Sequence, residues 1–201
     1  MRAACHALGL ALCLTQAPGI AGAADFSDPD WPCIQRKVEN LSASLMWPAP
    51  VTRMPLTPAA NDLVATLSLR RVTLEEAEAH VRAFVEKTAP VDGQLLGNIF
   101  HGVFENLADN RQRLIAGITR YSRSQIALSS RIDGSRVEMA KLTGETKPDF
   151  DRIDKLEEQM DWDERIYRDR SQALTYVCET PVLLEKRAYA IAQILLKHMP
   201  H

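Results

Sequence analysis

The chain has 201 residues, with 24 Lys and Arg against 26 Asp and Glu. That length suits one domain with an extension, and the near-neutral balance leaves no electrostatic footprint for nucleic acid or an anionic membrane surface. Few aromatics beside many Ala and Leu lean towards helix, and no strand pattern, internal repeat or low-complexity tract stands out.

Residues 1–23 read as a cleaved secretory signal. Arg2 precedes an apolar run from Ala3 to Leu14, and the small residues Ala21-Gly22-Ala23-Ala24 place cleavage before Ala24. The run is short for a membrane span, so no span is expected after cleavage. Cleavage removes Cys5 and Cys13 and leaves Cys33 and Cys178, which in an oxidising compartment pair as one disulfide. The expected location is the periplasm or the exterior.

Residues 24–57 divide into a short helix, Ile34 to Leu45 with Pro32 in its first turn, and a proline-rich strap beginning at Trp47. Trp31 and Trp47 read as anchors for this segment. Residues 58–201 read as a helical domain. Its first helix spans Pro58 to Leu69, and Thr73 followed by Glu76 forms a capping box for a second that ends near Ala89.

The organising stretch comes next. Phe100, Phe104, Leu107, Arg111, Leu114, Ile118, Tyr121, Gln125, Leu128, Ile132, Ser135, Met139 and Leu142 alternate steps of four and three. A period of about 3.5 is that of a coiled-coil seam. After Gly144, suited to a C-cap, and Pro148, suited to a first turn, the same alternation resumes. It runs through Ile153, Leu156, Met160, Asp163, Tyr167, Arg170, Leu174 and Val177. The two arms, about 95–142 and 149–178, should fold back as an antiparallel hairpin. The register pairs Met139 with Ile153, Ile132 with Met160, Gln125 with Tyr167, and Leu114 with Val177. The outgoing arm is rich in Arg and the returning arm in Asp and Glu, which favours this pairing over self-pairing of either arm. Pro181 is expected to start a new helix or to kink the old one. The fold expected is all-α, a helical body carrying a long coiled-coil hairpin closed by Cys33–Cys178.

Chemistry is hard to find. There is no Gly-x-Ser-x-Gly elbow, no P-loop and no Cys-x-x-Cys, so no catalytic residue and no cofactor are expected. Glu76 and His80, and His101 and Glu105, stand four apart as helix-borne metal ligands can, but without the Glu-x-x-His of di-metal bundles. His80, His101 and Glu105 therefore serve only an alternative reading, a ligand- or metal-binding bundle. Within the seam, Gln125, Asp163 and Arg170 are candidates for a polar layer that sets register. The leading reading is a non-enzymatic adaptor, scaffold or chaperone whose hairpin engages another envelope or secreted protein, with self-association as a further route. Contact residues expected from their place at the tip are Lys141, Thr143, Glu145, Lys147, Asp149 and Phe150.

Overall fold

The computed structural model describes residues 28–88 and 90–200, so the signal and its cleavage site lie outside the described residues. It is all-α: α1 (Pro58–Ser68), α2 (Leu74–Thr88), α3 (Gly93–Thr143) and α4 (Phe150–Leu196), with no strand among the described residues. Each start has a local cause. Thr57 caps α1 by accepting from the Ala60 amide, with Pro58 at the first helical position. Thr73 and Glu76 exchange both bonds of the capping box at α2, at 2.8 and 3.1 Å. Asp92 and Asp149 cap α3 and α4 through the amides of Leu95 and Arg152. Pro148 thus precedes the cap instead of occupying the first turn, because Asp149 supplies the acceptor that orders the helix start.

The body is a four-helix arrangement at the base of the hairpin. Ala60, Leu63, Val64 and Leu67 of α1 and Ala77, Val81 and Phe84 of α2 face Leu96, Ile99, Phe100 and Val103 of α3. Leu184, Ala188, Ile191 and Leu195 of α4 close the core. Each large side chain buried here contributes about 1.5–3 kcal/mol. Gly102 lets α1 approach closely, since a Cβ there would sit 3.0 Å from Val64 Cγ1.

Three local expectations are corrected. No helix forms over Ile34–Leu45; only a 3-10 turn at Ala43–Leu45 occurs. Ile34 and Leu45 remain 79 % and 85 % exposed, so a helix would bury no apolar face, and the backbone is recruited by α3 instead. Pro181 does not start a new helix: of the two expectations it leaves the one in which the old helix carries the proline, and α4 runs through it to Leu196. The proline costs about 3 kcal/mol in a helix interior. Packing of Leu184, Ala188, Ile191 and Leu195 beyond it outweighs that cost. Val177 does not enter the seam; it is exposed, and neighbouring Cys178 packs with Ile118.

Candidate protein-docking hairpin

α3 has 51 residues, a length of about 75 Å at 1.5 Å per residue. Its neighbours other than α4 lie along the stretch from Gly93 to about Ser130. On one side lies the N-terminal segment, running down from Pro29 to Trp47. Ser122 Oγ donates to Pro29 O at 2.7 Å, Arg123 forms a two-pronged pair with Asp30, and Gln112 bonds Asn40 at 3.1 Å. Buried Arg111 donates to Glu39 O at 3.3 Å and lies 4.0 Å from Glu185; burial lowers its pKa and the Glu185 charge opposes that. The disulfide Cys33–Cys178, with Cα atoms 5.5 Å apart, fastens this segment against Ile118 and Leu174. Trp47 stacks on Phe100 at 5.3 Å.

The strap that follows is held by two side chains four apart on α3. The Gln94 amide donates to Pro50 O at 3.0 Å and accepts from the Thr52 amide at 2.9 Å. Buried Asn98 repeats the pattern on Thr52 O and the Met54 amide, at 2.9 and 3.2 Å. Each carboxamide acts as a short piece of strand partner, which removes the need for a sheet. A Cβ on Gly97 would meet Val51 Cγ2 at 2.6 Å, so glycine is required for that approach.

On the opposite side of the hairpin base sit α1 and α2. Arg187 of α4 fixes them: its guanidinium donates to Leu67 O at 3.0 and 2.8 Å and to Val72 O at 2.7 Å. The carbonyls at the end of α1 thus receive a cation where the helix dipole favours one.

Above Arg123 the two arms are each other's main neighbour, with Pro32 still bordering a hollow beside Gln125, Ile126, Ser129 and Ser130. Leu128, Ile132 and Leu142 are its buried apolar residues on α3, interleaved with buried Gln125 and Ser135. Gln125 donates to Tyr167 O at 3.1 Å and to Ser171 Oγ at 3.2 Å. Asp163 is buried, and its carboxylate takes both prongs of Arg131 at 2.7 Å. Arg170 is exposed and its contribution is the backbone carbonyl, which accepts from Tyr121 OH at 3.0 Å. The three polar candidates therefore do not meet as one layer: Asp163 is served by Arg131, which lies off the seam alternation. Arg136–Glu164 and Arg152–Glu138 tie the arms further towards the tip.

Of the tip residues, Lys141, Thr143, Glu145, Lys147, Asp149 and Phe150 are all exposed, with Phe150 at 69 %. They surround the turn. His80 lies exposed on α2, whereas His101 and Glu105 belong to α3. Glu105 is engaged by Arg53 of the strap, which lowers its pKa. Burial lowers the pKa of His101 below the usual histidine value, the Arg53 charge adds to this, and Glu105 opposes it. Among the described residues no three His, Cys, Asp or Glu side chains gather as a metal site, and no helix is long and apolar enough to cross a membrane.

Sequence reasoning missed the residues most unlike an ordinary helix surface. Trp162, Tyr176 and Leu183 of α4 are 61 %, 78 % and 47 % exposed. With Asp169 they recur every seventh residue, outside the a/d alternation, and that spacing is visible in the sequence. No family model matches the chain, nor does any curated protein or solved structure.

Proposed function

We propose that this protein is an exported, non-enzymatic adaptor, scaffold or chaperone of the cell envelope, and that its hairpin engages another protein. The observation that carries the reading is the distal hairpin itself. Beyond the level of Ser130, where Pro32 still borders the hairpin, two helices continue to the turn after Thr143, and they bury few apolar side chains there. Two-helix extensions add little to the stability of a domain, and large exposed aromatics are a feature of binding surfaces. The disulfide supports an oxidising compartment, and the signal-like first 23 residues agree with export.

The test is site-specific photo-crosslinking in the native cell from Glu145, Lys147 and Phe150 at the tip and from Tyr176 on the side of α4, with Arg36 as control. One dominant envelope protein captured from the hairpin, and not from Arg36, is the expected result. Silence from every hairpin position would overturn the proposal.

A further inference from the structure

The hairpin has two flanks, and the contacts at its base distinguish them. The N-terminal segment covers one, through Ser122, Cys178 and the strap. The other carries α1 and α2, through Gly102 against Val64, Asn106 bonded to Ser68 at 3.2 Å, and Arg187 at the α1–α2 turn. Followed upwards at the 3.5-residue period of the seam, the second flank loses its cover just above Arg187. There α4 presents Leu183, Tyr176, Asp169 and Trp162 in a single row, with Ala173 and half-buried Ile166 one position nearer the seam. Across from them α3 presents Ser124, Ala127 and Gly134, with nothing within 4 Å of where a Cβ on Gly134 would be, while Arg131 stands between them on Asp163 and the Arg120 guanidinium lies 3.9 Å from where a Cβ on Gly117 would be. The α1–α2 turn that Arg187 ties to α4 is flanked by Leu69 and Leu74, which are 40 % and 41 % exposed.

We infer that this flank is a docking groove for an amphipathic helix of a partner protein, which extends the layer that α1 and α2 begin. The inference rests on the adaptor reading and names the surface and the partner's chemistry. The geometry repeats one already used by the chain: a helix laid over α3 where glycine allows approach, bordered by α4. Charge sets the character of the occupant. Arg113 and Arg120 stand on the α3 rim with no acidic side chain within 4.0 Å among the described residues. An apolar stripe flanked by Asp or Glu on the α3 side would therefore fit, with its apolar residues against Trp162, Tyr176 and Leu183.

A second copy fits this flank poorly. Related by a two-fold axis along the hairpin, its arms would need the volume that α1 and α2 fill at the base. Related by a two-fold axis across the hairpin, the copies would stack α3 on α3 and α4 on α4, setting the Arg-rich arms against each other.

The test is selection of a displayed library of helical peptides on the purified full-length protein, with binding to Trp162→Glu, Tyr176→Glu and Arg113→Glu/Arg120→Glu compared. Trp162→Ala is included, and circular dichroism verifies that each variant folds. Enrichment of amphipathic helices with acidic flanks is expected, with binding at least tenfold weaker to both single Glu variants. The double charge reversal should shift preference to basic flanks. No enrichment, or peptides indifferent to Trp162 and Tyr176, would overturn the inference. So would a dimer, or binding to phosphatidylglycerol vesicles, that Tyr176→Glu abolishes. In-cell capture of a partner from Phe150 but not from Tyr176 would remove this groove and leave the adaptor reading standing.

Discussion

The lower and upper halves of α3 and α4 make an instructive pair, because the same two helices live in different surroundings. At the base, Phe100 and Ile191 are fully buried, with α1, α2 and the strap around them. Above Arg123 each arm has mainly the other, and the seam admits Gln125, Ser135 and Asp163 between its apolar residues. The base holds together by area removed from water. The distal part holds register through directional polar contacts, Arg131 on Asp163 and Gln125 on Tyr167 O, while its apolar burial stays modest. One helix can thus be a rigid core element at one end and an openable surface at the other.

The sharpest way to break this contrast is to cut the tie that fastens the N-terminal segment to the hairpin. Cys33–Cys178 spans 145 residues, and the loop-entropy model allows at most about 5 kcal/mol from such a closure. Reduction, or Cys33→Ser with Cys178→Ser, should lower the Tm of the whole chain and release the segment around Pro29 from Ser122. Hydrogen exchange should place the new opening at the hairpin base.

Phe100→Ala tests the base directly. Loss of a buried Phe costs about 3–5 kcal/mol, and because Phe100 touches Trp47 and Phe104 the loss should be global. Ile132→Ala in the distal seam should cost nearer 2 kcal/mol, the low end for such a change, and should speed exchange of distal amides alone. Equal global destabilisation by the two would show that the hairpin opens only with the body.

The smallest effect sharpens the contrast from the other side. Gly134 is exposed within α3, and nothing lies within 4 Å of where its Cβ would be. Gly134→Ala should stabilise the distal helix by about 0.5–1 kcal/mol, read as slower local exchange with little change in overall Tm.

Much of this architecture was legible before any coordinates. The alternation from Phe100 to Leu142 placed the arms on each other, and Gln125 does meet Tyr167, because a period of 3.5 leaves one continuous face to bury. The capping box at Thr73 and the disulfide were likewise written in short-range pattern and cysteine count. The N-terminal segment was not. Pro32 suited the first turn of a helix, but the segment's backbone groups are satisfied by Ser122, Arg111, Gln94 and Asn98, partners far away in sequence.

The sequence by itself determined that two long amphipathic arms pair and that Cys33 and Cys178 remain to join. Tertiary structure alone decided that α4 runs through Pro181, since the core below it rewards continuation by more than the lost hydrogen bond costs. It also decided which flank of the hairpin stays uncovered. Periodicity defines a face relative to its own helix, and only the placement of α1, α2 and the N-terminal segment distinguishes the covered side from the side where Trp162 and Tyr176 stand exposed.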